Sequence, residues 1–173
     1  MKGGIYLAQL LALIIAFLGV CMDLRNEKIA NVAIAIFVLV GMLYQTSIYG
    51  LMGIWEYLKG AGVPLLLLFI LFVFRMLGPG DIKLLSVLGG IMGITAIIKC
   101  IIISFAFGGL LSIAIIISCG NLKERIRYFT EYITRTLQTK KITAYYNSGM
   151  PIENFHFSIP ILMSIILYAG GVY

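Results

Sequence analysis

Long apolar runs separated by short polar stretches fill most of the 173-residue chain. A membrane-crossing helix needs about 20 mostly apolar residues, with a lower limit near 17. By that measure the pattern predicts an all-α, polytopic membrane helix bundle of about six transmembrane helices. The runs are Gly4 to Met22, Ile29 to Tyr44, Gly62 to Leu77 with Pro64 near its start, Asp81 to Ile97, Cys100 to Cys119 and Phe157 to Val172. A turn is expected between Thr95 and Lys99, because Lys99 at mid-membrane would cost about 2.5–3.5 kcal/mol. Tyr49 to Gly60 reads as a short interfacial helix with Trp55 and Tyr57 as anchors. No A-x-A cleavage pattern follows the first run, so it reads as a true first helix rather than a removable signal.

The longest polar segment is Gly120 to Phe155. Within it Leu122, Ile126, Phe129, Ile133 and Leu137 recur at spacings of one helix face. Basic residues occupy much of the remainder, which suits a helix lying on an anionic inner leaflet. The whole chain, 1–173, therefore reads as a single membrane-embedded domain with a cytoplasmic basic amphipathic segment at 120–155.

Composition sharpens this picture. Apolar residues make up 61% of the chain and charged residues 12%, about half the charged share of a soluble domain. That excludes a soluble globular domain, a disordered chain and a nucleic-acid-binding domain. The net charge of +6 is read as attraction to lipid headgroups. With the N-terminus outside, the inner loops collect Arg25, Lys28, Arg75, Lys83, Lys123, Arg125, Arg127, Arg135, Lys140 and Lys141, and the outer side only Lys2, Lys59 and Lys99. The expected orientation is N-out and C-out. Cys21, Cys100 and Cys119 form no Cys-x-x-Cys pair, so neither a disulfide framework nor a metal site is expected.

The chain holds just two aspartates, Asp23 and Asp81. Two predicted spans separate them, and an even number of crossings returns the chain to the same side. Acidic residues at membrane helix ends are costly and tend to mark function. Asp81 sits in Gly78-Pro79-Gly80-Asp81-Ile82-Lys83-Leu84. Glycine opens backbone angles closed to other residues and lets another chain approach, proline stiffens the turn, and Asp81 falls where a helix N-cap is expected. Asp23 opens Asp23-Leu24-Arg25-Asn26-Glu27-Lys28-Ile29-Ala30-Asn31.

The Gly-x-Gly-Asp turn resembles the signature of the GxGD aspartyl proteases of membranes. The longer string through Lys83 and Leu84 is similar to the type IV prepilin peptidases in particular. The 23–31 stretch resembles that family's first aspartate motif, in which Ile-Pro-Asn follows the Asp, with Ala30 in the place of the proline. The likeness runs from the first helix through the fourth. The two Cys-x-x-Cys pairs of the larger members are absent, so the chain is similar to the minimal, peptidase-only form. The resemblance implies a membrane aspartyl endopeptidase that removes the leader of type IV pilin-like or preflagellin-like precursors at the cytoplasmic face of the cell's inner membrane. Asp23 and Asp81 would be catalytic, with Gly78, Gly80, Lys83 and Asn31 supporting. No metal and no organic cofactor is required; the partners are a prepilin-like protein and the bilayer.

Two adjacent carboxylates cannot both ionise cheaply, so such a pair holds one proton, and general acid–base hydrolysis of an amide follows. The helix ends point to Asp81 as base and Asp23 as acid. Lys83 is read as a contact for a substrate carboxylate or a neighbouring Glu, or as a side chain snorkelling to the interface, Asn31 as a hydrogen-bonder of backbone near Asp23, and Gly89 with Gly93 as a G-x-x-x-G face for close helix packing. Arg75 reads as a snorkelling side chain. Glu27 is the acid that stands closest to Asp23 in sequence and the rival to it. Glu56 lies on the opposite side, and His156 reads as an interface residue rather than a catalyst. The competing reading is a small transporter or channel subunit using intramembrane acids; a scaffold without chemistry is a third.

Overall fold

The computed structural model describes residues 2–26, 28–74, 76–119, 127, 130–135, 138 and 156–173. Among them six helices of 12 residues or more follow in order. They are α1 (Lys2–Asn26), α2 (Asn31–Tyr49), α3 (Met52–Val73), α4 (Pro79–Met92), α5 (Ile94–Cys119) and α6 (Ser158–Ala169). Four are long and apolar enough to cross a membrane: Gly4–Asn26, Asn31–Tyr49, Met52–Val73 and Ile94–Ile115. The described residues are all-helical, and the chain is a multi-pass membrane protein.

The helices turn small residues inward and large ones outward. On α1, Ala8, Ala12, Ala16 and Gly19 are buried, while Leu10, Ile14, Phe17 and Leu18 are exposed. Lipid tails are as apolar as Leu, so membrane helices gain from close backbone approach rather than from hiding large side chains. Gly19 receives the Leu84 side chain of α4.

The fourth helix is the centre of the bundle. It packs against α1, α2, α3 and α5, and Leu84, Leu85, Val87 and Leu88 on it are almost fully buried. At 14 residues it is short of the spanning length expected for Asp81 to Ile97. Protein surrounds it, and it ends at Gly93, whose φ of 83° is open to glycine and strained for other residues. The chain break expected between Thr95 and Lys99 therefore falls at Gly93, and α5 begins immediately with Ile94, carrying Lys99 inside the helix. The sixth run is likewise shorter than expected, at 12 residues; α6 packs between α1 and α5.

Two further boundaries differ from the hydropathy reading. Tyr49 to Gly60 is not a separate interfacial helix: α3 begins at Met52 and runs without a break through Pro64. Trp55 is 63% exposed as an anchor would be, but Tyr57 is 2% exposed, its ring wedged against Gly41 and Gly90. Of the G-x-x-x-G pair, Gly89 makes the close contact and Gly93 does not; its partner is Gly60 of α3, where a Cβ on either residue would strike the other's carbonyl. Gln45 of α2 adds a polar tie by donating from Nε2 to the Gly90 carbonyl at 2.8 Å.

Of the amphipathic stripe at 120–155 only Ile133 lies among the described residues; it is half-exposed within the helical stretch 130–135. Leu122, Ile126, Phe129 and Leu137 lie outside them, as do Glu27 and Arg75.

Candidate active site

The polar end of the bundle is built where three helices begin or end. The last turn of α1 carries Asp23, the first turn of α4 carries Asp81, and α6 opens at Ser158 just after His156. Helices α2 and α3 run away and back between the first two, which returns Asp81 to the level of Asp23.

Asp23, Asn31, Gly78, Gly80, Asp81 and Lys83 all line one cavity of about 460 Å3, together with Lys28, Ile29, Ala30 and Pro79. The two short strings around the aspartates, more than fifty positions apart in sequence, are thus the walls of a single space.

The local geometry at Asp81 differs from the N-cap expected. Gly78 is the N-cap, Pro79 follows as the first helical residue, and Asp81 lies in the first turn. Pro suits that first position, because its missing N–H is unpaired there in any helix. From the third helical position the Asp81 carboxyl reaches back to the Gly78 backbone N–H, as the acidic member of a capping box does. Gly78 has an ordinary extended backbone, with φ −68° and ψ 144°. What it supplies is space: a Cβ there would lie 3.1 Å from Asp81 Oδ2. At Gly80 a Cβ would make an ordinary contact with Ile29, at 3.5 Å.

Asp81 lies outside the four helices of spanning length. Burial, and then the neighbouring Asp23 carboxylate, push its pKa up to about 7, against the opposing pull of the Gly78 N–H and of His156. Near neutral pH Asp81 therefore retains its proton in a large share of molecules. The helix end alone predicts an Asp81 that ionises readily; desolvation outweighs it.

Asp23 is 16% exposed and is held from α6. Ser158 Oγ donates to Asp23 Oδ2 at 2.6 Å, and His156 Nδ1 lies 3.0 Å from the same oxygen. Sequence reasoning passed over Ser158 altogether and set His156 aside. The available signal was a lone His two positions before a Ser at the start of an apolar run.

Among the described residues Lys83 and Asn31 meet each other. Lys83 Nζ donates to Asn31 Oδ1 at 2.8 Å, at an exposed position, and ties the start of α4 to the start of α2. Glu56 pairs with Lys59 at 2.7 Å on the exposed surface of α3. Among the described residues no group of three or more His, Cys, Asp or Glu is placed to hold a metal ion.

Asp81 and Gly78 also line a second cavity, of about 380 Å3, on the other side of the α4 start. Its walls are mostly apolar and include Leu71, Met76 and Leu77 from the α3 side, Phe105 from α5, and Phe157. Asp81 thus borders two spaces, one lined by Asp23, Lys28, Asn31 and Lys83 and the other by Leu71, Leu77, Phe105 and Phe157.

The sequence matches the model of the type IV leader peptidase family over residues 10–113. No curated protein and no solved structure matches the chain.

Proposed function

The chain belongs to the type IV leader peptidase family, and from that membership and the geometry above we propose that it is an aspartic endopeptidase in which Asp23 and Asp81 cut the leader from pilin-like precursors. The observation that carries the reading is that the only two aspartates of the chain share one cavity, one of them shifted to about 7 partly by the other. A pair that differs in proton affinity has what hydrolysis of an amide requires: one ionised carboxylate and one protonated.

In this reading Asp23 is the base and Asp81 the acid. Asp81 donates a hydrogen bond to the scissile carbonyl. Asp23 takes a proton from water as the water oxygen bonds to the carbonyl carbon, and the Asp81 proton passes to the carbonyl oxygen. As the tetrahedral carbon collapses, its C–N bond breaks. The leaving nitrogen takes the proton from Asp23, and a hydroxyl proton returns to Asp81. Both carboxyls end as they began, with no covalent link to the enzyme.

The two cavities that meet at Asp81 suit a substrate that changes character at the cut. The polar leader lies on the Asp23, Lys28 and Asn31 side, and the apolar segment that follows lies toward Leu77 and Phe105. The Lys and Arg distribution puts this end of the bundle in the cytoplasm of an inner-membrane protein, N-out and C-out. The whole chain is read as one membrane-embedded peptidase domain.

The test is direct. The purified protein, reconstituted in vesicles with a small leader-bearing pilin-like precursor, is expected to yield one product with a new N-terminus immediately before the apolar segment, read by mass spectrometry. An intact precursor after long incubation with folded protein would contradict the reading.

A further inference from the structure

The last helix reaches the aspartate pair through a contact of its own. Ser158 Oγ donates to Asp23 Oδ2 at 2.6 Å, and His156 Nδ1 meets the same oxygen at 3.0 Å, donating to it when Asp23 is ionised. Ser158 is fully buried, and His156 is 19% exposed. Between them Phe157 is fixed by its ring, whose centroid lies 5.0 Å from that of Phe105 on α5.

We propose that His156 and Ser158 are positioning residues that hold Asp23 in its ionised, water-activating form, so that α6 is a third structural part of the active site. The proposal rests on the two-aspartate peptidase reading. A carboxylate oxygen that receives two hydrogen bonds is better stabilised charged than neutral. Both bonds fall on Oδ2, which fixes the rotamer and leaves Oδ1 for the attacking water. Ser158 is also the first residue of the 12-residue α6, whose N-terminal end favours negative charge. The C-terminal end of α1, which by itself disfavours charge on Asp23, is thereby opposed. The charged groups lining the Asp23 cavity are Lys28, Asp81 and Lys83. Lys83 is engaged with Asn31, and Asp81 faces both Asp23 and His156; α5 brings aromatic contact to Phe157.

The experiment measures kcat, KM and their pH dependence for the full chain in vesicles, with the leader-bearing precursor, for the wild type, D23N, H156A, H156N and S158A. Losing one hydrogen bond to a charged group is expected to lower kcat about 10–100-fold in H156A and in S158A, with KM within about twofold. The acid limb of the rate profile in H156A moves to higher pH, because the carboxylate oxygen has lost one of its two hydrogen bonds. H156N, whose amide nitrogen can donate near the place of Nδ1, returns kcat to within about fivefold of the wild type. Wild-type kcat and an unmoved acid limb in both H156A and S158A, beside an inactive D23N, would overturn the positioning role and leave the aspartate pair standing. Equal losses in H156A and H156N, with an unmoved acid limb and a lowered thermal midpoint in both, would also overturn it by showing a purely structural part. An active D23N would overturn the proposal together with the reading on which it rests.

Discussion

Asp81 lies in one cavity with Asp23, and the charge on Asp23 is second only to burial among the causes that keep Asp81 protonated up to about pH 7. Each of the two groups is therefore part of the other's chemistry: ionising one makes ionising the other harder.

The first prediction is a sign test on stability. The Asp81 pKa rises from 3.8 to about 7 on folding, so the folded state binds the proton more tightly. The stability this contributes is fully present below about pH 4 and is lost as pH rises toward 7. Above that, a buried charge is carried at a cost of up to about 4 kcal/mol. D81N removes the cost. Its thermal midpoint in detergent is expected to exceed that of the wild type at pH 8, to exceed it by less at pH 5 and to match it only below about pH 4. Equal midpoints at pH 8 and pH 5 would count against a proton held by burial.

The same shift sets the alkaline side of the rate profile. Cleavage needs Asp81 protonated, so kcat/KM is expected to fall as pH rises through about 7, with its alkaline limb governed by the aspartate pair as a unit. A rate that stays flat from pH 6 to pH 9 would show that Asp81 is not the acid.

The two motif glycines are predicted to differ. A methyl at Gly78 meets Asp81 Oδ2 at 3.1 Å, whereas one at Gly80 meets Ile29 at an ordinary distance. G78A must displace the carboxyl and is expected to lower kcat about tenfold or more. G80A is expected to stay within about threefold of the wild type. The reverse order, measured on the reconstituted enzyme, would mean that motif position rather than space beside the carboxyl decides.

The part of the site written in contiguous residues was legible in advance. Asp23 with Asn31, and Gly78 through Lys83, form two short strings, and the even number of crossings between them put both at one end of the bundle. The part that was not legible comes from contacts between distant segments. Asp23 and Ser158 are 135 positions apart, and no local period links a hydroxyl at the start of one apolar run to a carboxylate at the end of another. Hydropathy also misjudged the centre. A helix surrounded by protein need not meet the lipid thickness, so α4 stops at Gly93 although the apolar run continues through it. Tyr57 looked like an interface anchor because its ring is amphipathic, yet Gly41 and Gly90 leave a slot that takes it inward.

That slot adjoins a close backbone approach of α3 and α4, which makes a separate prediction. Gly60 and Gly89 face each other so closely that a Cβ on either would strike a carbonyl. G60A and G89A are each expected to lose about 2 kcal/mol or more of stability, since α3 and α4 must separate. G62A, with nothing within 4 Å of its Cβ, is the matched control on α3 and should be unaffected. Denaturation of the three variants in mixed micelles reads the difference directly. Equal stabilities would remove the close packing that seats α4.

The central claim is that both aspartates act in cutting the amide, and it is tested most directly by the single-turnover rate of leader cleavage in purified, folded D23N and D81N. Each is expected to fall at least about 1,000-fold below the wild type at pH 6.5, since an amide side chain can neither take the water proton nor supply the carbonyl one. Cleavage at the wild-type rate by either variant would contradict the account.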